Sequence, residues 1–110
     1  MIRTLLAMLA LLASGTAIAQ SFTDPVTIIQ IRTGWFQDAF AVVTQEPVIN
    51  PAGCAVDDGY ISYGAEPGYQ TYYSAALTAF ALGVPAVVTV SDTDCNSDRP
   101  VLIGINPTLP

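Results

Sequence analysis

The stretch SDTDCNSDRP, Ser91 to Pro100, sets oxygen-bearing side chains at alternate positions: Asp92, Asp94, Asn96 and Asp98. Hard oxygens at the first, third, fifth and seventh places of a loop are what a calcium ion takes. The rest of that pattern is missing. Position six is Ser97, where the sharp turn wants glycine, and position twelve is Ile103, where a bidentate acid is needed. The four residues are therefore candidates for no more than a weak surface calcium site. The segment reads first as an acidic, solvated turn anchored by Cys95, with Arg99 beside Asp98 in an exposed pair of little energetic weight.

Catalytic parts are scarce. The chain has no histidine, which removes the commonest general base and the commonest transition-metal ligand. Ser21, Ser62, Ser74, Ser91 and Ser97 have neither histidine nor lysine to activate them. Asp57 and Asp58 are adjacent carboxylates, but neighbours in a loop point apart, and both read as turn formers ahead of Gly59. The expectation is a chain without enzymatic activity and without a cofactor.

Candidate ligand contacts are aromatic. Trp35, the only tryptophan, stands beside Gly34 at a turn. It is either a core residue at one end of the fold or an exposed ring that stacks on a sugar or seals a subunit contact. Tyr60 and Tyr63 are an odd number of residues apart on an expected strand, so they fall on opposite faces and one points outward.

Charge and leader narrow the partners. Nine acidic residues stand against three basic ones, Arg3, Arg32 and Arg99, for a net charge of −6. Such a surface repels phosphate backbones and anionic membranes, so nucleic acid is not an expected partner. Arg3, the apolar run Leu5 to Ala13 and the small residues Ala17 and Ala19 have the form of an export leader, residues 1–19. The run is shorter than the ~20 residues a spanning helix needs, and no later stretch is longer, so no membrane span is expected. Removal of Arg3 with the leader takes the charge from −6 to −7 in a single domain, residues 20–110. The expected location is the periplasm or the extracellular space. There an even cysteine count favours a bridge between Cys54 and Cys95. Closing a loop of ~40 residues stabilises a fold by roughly 3–4 kcal/mol on the chain-entropy account.

The elements that position these residues follow from period and punctuation. Val26 to Trp35 and Ala39 to Ile49 are rich in β-branched residues and read as strands, and Asn50 to Gly59 reads as a loop between turn signals. Tyr60 to Gly64 is a short third strand. The period then changes. Tyr69, Tyr73, Ala76, Leu77 and Phe80 recur at three- and four-residue steps, which predicts an amphipathic helix over about Gln70 to Leu82 with this stripe in the core. Gly83 is placed to end it in a left-handed cap, and Pro85 bars its resumption. Ala86 to Val90 and Val101 to Ile105 complete the order β-β-β-α-β-β, and the tail from Asn106 reads as irregular. That order is the one of the OB-fold, a five-stranded barrel with a helix between its third and fourth strands. An open α+β sheet with the helix on one face is the alternative.

The helix YYSAALTAFALG and the following VVTVSDTDCNSDRPVLIGI, with the export leader, resemble small exported bacterial OB-fold proteins. Nearest in style are the binding (B) subunits of pentameric toxins of the subtilase cytotoxin type. The likeness covers most of Tyr69 to Asn106, and no sugar-contacting motif matches residue by residue, so no binding residue is carried over. It implies ring assembly of identical copies and a glycan taken on the barrel surface. The expected function is non-catalytic binding of a carbohydrate or protein ligand. A structural or inhibitory periplasmic protein that acts on a protein partner is the alternative.

Overall fold

A computed structural model describes residues 19–34 and 37–110. The leader up to residue 18 and the expected contact residue Trp35 lie outside the described residues. The chain forms β1 (Gln20–Phe22), β2 (Ile28–Thr33), β3 (Ala39–Thr44), β4 (Tyr60–Tyr63), α1 (Tyr69–Leu82), β5 (Ala86–Asn96) and β6 (Arg99–Pro107). The fold is mainly β, as expected. Six strands make one mixed sheet in the order β1-β5-β6-β4-β3-β2. Every pairing is antiparallel except β4 with β6, which the α1 crossover makes parallel.

Two expectations about the sheet need correction. There are six strands, not five, and the sheet is not a closed cylinder, because β1 and β2 are its two ends. The extra strand arises where Asp24 and Pro25 interrupt the N-terminal segment. Proline fixes its own φ and has no N–H to donate to a ladder. On either side of the break the chain still touches β5. The Thr23 N–H donates to the Val88 carbonyl (2.9 Å), and Val26 and Ala86 exchange hydrogen bonds of 2.8 and 2.9 Å.

The strand expected over Ala39 to Ile49 stops at Thr44. There the Thr44 hydroxyl donates to the Glu46 carbonyl (2.8 Å), and the Glu46 carboxylate accepts from the Thr27 N–H (2.8 Å), which turns the chain away before Pro47. The acidic segment is no loop either. β5 runs on to Asn96 and β6 begins at Arg99, so only Ser97 and Asp98 form the turn. Both have positive φ, 48° and 63°, as the tightest β-hairpin requires. β5 absorbs its extra residues in an irregularity between Val90 and Cys95, where the Ser91 hydroxyl accepts from the Asp94 N–H at 3.0 Å.

Strand alternation sorts the sheet into two apolar faces. The inner face carries Ile28, Phe40, Val42, Tyr60, Val88, Val90, Leu102 and Ile105, packed on Ala76 and Ala79 of α1. Small residues there let the helix sit close. Phe40 meets Tyr69 and Tyr73 at ring-centroid distances of 5.5 and 5.1 Å, which pins the first turns of α1 to the sheet. The helix ends at Gly83, φ 65°, in the left-handed conformation expected of it. Of the predicted core stripe, Leu77 and Phe80 are exposed. Ala76 and Ala79 mark the side of the helix that meets the sheet, and Leu77 and Phe80, each one residue further on, are turned about 100° away from them.

Candidate functional site

The outer face of the sheet is built by register. Arg32 pairs with Ala41, Ala41 with Ile61, and Ile61 with Val101, so these four side chains form one row across β2, β3, β4 and β6. Cross-strand partners share a face. Ala39, Ile61 and Val101 are buried there as a second apolar cluster, edged by the half-buried Tyr63 and Ile103. Arg99 stands two residues before Val101 on β6, and so on the same face.

Above this row a polar group closes. The Arg99 guanidinium donates to Asp58 through Nε (2.6 Å) and Nη2 (3.1 Å), and Arg32 Nη1 donates to the same carboxylate at 3.2 Å. Arg32 Nε is also held by the Gln30 side-chain carbonyl at 3.2 Å. Among the described residues Arg32 and Arg99 are the only basic ones, so a chain of net charge −6 gathers all its described cations at one point. The hydrogen bonds from Arg99 hold the Asp58 carboxyl below the usual carboxylate range; partial burial works against this, and Arg32 adds to it. The Arg99 guanidinium is correspondingly raised.

Asp58 reaches this place because its loop is tied down. Cys54 and Cys95 form the expected disulfide, Cα to Cα 5.7 Å, across 41 residues of sequence. The Asn50 side chain brackets Cys54, accepting from its N–H and donating to its carbonyl, both at 2.8 Å. The Val56 N–H donates to the Asp98 carbonyl at 2.9 Å. The Asn50–Gly59 loop is thus laced to the β5–β6 hairpin. At the same end, Gln37 Nε2 donates to Asn96 Oδ1 (3.1 Å) and Ser97 Oγ (3.3 Å), which joins the β2–β3 loop to the hairpin tip.

The residues singled out from sequence are placed as follows. Tyr60 points inward and is fully buried; its hydroxyl accepts from the Ile49 N–H (2.9 Å), so it serves the core and offers no ring to a ligand. Tyr63 is the outward member of the pair. Asp92 accepts from the Ser21 hydroxyl, Asp94 is exposed, Asn96 binds Gln37, and Asp98 sits in the turn. Extension of the segment as strand spreads these four apart. Among the described residues no three cysteine or acidic side chains gather round a common point fit for a metal ion. Sequence reasoning missed the Arg32–Asp58–Arg99 group and paired Arg99 with its neighbour Asp98. The available signal was that no other basic residue follows Arg3.

The arrangement is a shallow face, with no enclosed pocket among the described residues. It offers planar polar groups of fixed geometry, an apolar strip and one outward tyrosine ring. Among the described residues no helix is long and apolar enough to cross a membrane. Compared with known proteins, the chain matches no family model, no curated protein and no solved structure.

Proposed function

We propose that this chain is an exported, non-catalytic binding domain that takes a carbohydrate on the outer β2–β3–β4–β6 face. One observation carries the reading: both described arginines converge on Asp58 over an apolar strip edged by Tyr63 and Ile103. Guanidinium, carboxylate and amide groups held rigidly by one another suit the hydroxyls of a sugar, and a tyrosine ring suits its apolar face. The disulfide supports export.

An OB-like arrangement of an open sheet is the architecture proposed with it. Its support is the strand order β2-β3-β4-β6-β5, the parallel β4–β6 pair, the helix between β4 and β5, and the Val26–Ala86 bridge from the residues just ahead of β2 to β5. In that fold ligands sit on the face of the second and third strands and against the loops that flank it. The corresponding loops here are the ones joined by Gln37. A protein partner is the second reading, favoured by the absence of an enclosed pocket in the described residues.

The test is a glycan array with the purified protein, followed by NMR shift mapping of any hit. The expected result is a binder whose shifts centre on Arg32, Tyr63, Arg99 and Ile103, and whose affinity falls roughly tenfold or more in Tyr63→Ala, as for a central aromatic contact. A folded protein that engages no glycan removes the carbohydrate reading. Shifts confined to the opposite side of the sheet remove the face.

A further inference from the structure

Of the chain's aspartates, only Asp58 is followed by glycine. An aspartyl–glycyl junction is prone to rearrange, because glycine has no Cβ to keep its nitrogen away from the preceding side chain. The Gly59 nitrogen attacks Asp58 Cγ, its proton is lost, and a carboxyl oxygen leaves as water. A succinimide ring closes. Water then adds back at either ring carbonyl. Addition at the backbone carbonyl leaves isoaspartate: the chain runs on through Cβ and Cγ, and the free carboxylate sits on Cα. Water is lost and regained, so the step needs no other reactant.

The fold does not let the chain avoid this junction. Gly59 is buried immediately ahead of β4. A Cβ at this position would lie 2.9 Å from the Val42 carbonyl oxygen, a backbone atom of β3 that cannot swing aside. Glycine is therefore demanded at 59 by the approach to β3, and a carboxylate at 58 by the two arginines.

Ring closure needs a carboxyl group that can give up an oxygen as water. An ionised carboxylate gripped through both oxygens is the form least able to do so. Asp58 is held in that form. Its Oδ1 accepts from Arg99 Nε at 2.6 Å, and its Oδ2 accepts from Arg99 Nη2 at 3.1 Å and Arg32 Nη1 at 3.2 Å. The Arg99 fork takes one oxygen with each nitrogen, which also fixes the carboxylate plane and opposes the rotation that would turn Cγ toward the Gly59 nitrogen. We propose that the Asp58–Gly59 junction is a latent backbone-modification site, and that Arg32 and Arg99 hold it shut. Burial does not provide the protection, since the Asp58 side chain is 40 % exposed and open to water. The same hydrogen bonds keep the carboxyl ionised, in agreement with its lowered pKa.

The modification would be lasting. Isoaspartate adds one carbon to the backbone between the loop and β4 and shortens the side chain by one, so the carboxylate no longer reaches both guanidiniums as before. A ligand that drew the arginines off Asp58 would open the junction to this change. The inference concerns the chemistry of the Arg32–Asp58–Arg99 group and does not rest on the carbohydrate reading.

The test follows isoaspartate at residue 58 in folded wild type, Arg32→Ala and Arg99→Ala, incubated at one pH and temperature. Peptide mapping with electron-transfer fragmentation tells the isomer from aspartate. Wild type unfolded in urea supplies the rate of the unguarded junction. Folded wild type is expected to isomerise many times more slowly than the unfolded chain. Arg32→Ala, which removes one hydrogen bond from Asp58, is expected to be severalfold faster than wild type. Arg99→Ala, which removes two, is expected to be faster again. Circular dichroism and melting report whether each variant folds, and hydrogen exchange over residues 53–59 reports the loop. Arg32 lies on the end strand β2, and its variant carries the test if Arg99→Ala does not fold. Folded variants that isomerise no faster than wild type overturn the proposal. So does a folded wild type that isomerises as fast as the unfolded chain. A gain seen only with quickened exchange over residues 53–59 would assign the protection to loop rigidity and overturn it too.

Discussion

Individual side chains in this protein are governed by where burial places their polar atoms. Tyr69 donates to Asp38 Oδ1 at 2.9 Å beside the core, and burial with that bond raises its phenol to about 12. Tyr60 is raised in the same direction, by burial first. A group whose folded pKa lies above its unfolded value favours the fold while protonated. The stabilisation is therefore complete below about pH 10, the value of a free tyrosine, and is lost as pH rises through the folded value. We expect stability to fall between about pH 10 and 12, with Tyr69→Phe flattening the slope. Chemical denaturation across that range, followed with tyrosinate absorbance, measures it; an unchanged slope would show that Tyr69 does not contribute. Sequence alone marked Tyr60 and Tyr63 as facing opposite ways, because strand periodicity requires it. It did not say which faced in, because that depends on which side of the sheet the helix covers.

Among the elements, the β5–β6 hairpin shows how local chemistry competes with pairing. Its acids suggested a loop, yet the strands run on to a turn of only Ser97 and Asp98. Two non-glycine residues there hold positive φ, which costs each about 1 kcal/mol against a glycine. Asp98→Gly is accordingly expected to stabilise the protein by about 0.5–1 kcal/mol, read as a higher urea midpoint at unchanged m-value. A lower midpoint would mean that Asp98 contributes an interaction outweighing the backbone strain. The helix was more legible. Its period, its Gly83 cap and its end at Leu82 all stood in the sequence, because each rests on neighbours within a turn or two. The exposed Leu77 and Phe80 were not legible, because their environment depends on which side of the helix the sheet meets, and that side centres on Ala76 and Ala79.

For the molecule as a whole, the disulfide adds a covalent tie where a loop meets a hairpin. It ties the Asn50–Gly59 loop, which brings Asp58, to the hairpin that brings Arg99. Replacing both cysteines by alanine is expected to cost roughly 3–4 kcal/mol, from the larger freedom of the unfolded chain. Hydrogen exchange should quicken first at residues 53–59 and at the hairpin tip, with the amides of β3 and β4 still protected. Uniform loss of protection would instead mean that the loop and the core unfold as one unit.

The chain's own order of residues determined its acid-rich, histidine-free character, the approximate strands and helix, and the two cysteines' single possible intramolecular pairing. These follow from composition, short-range periodicity and counting. Only the tertiary structure decided that Arg32, Asp58 and Arg99 meet, that the outer face carries them over Ile61 and Val101, and that a charge-free helix looks outward on the other side. The reason is one of range. Asp58 lies 26 residues from Arg32 and 41 from Arg99. Strand register and a parallel pairing across a helical crossover close those distances, and no local pattern records either.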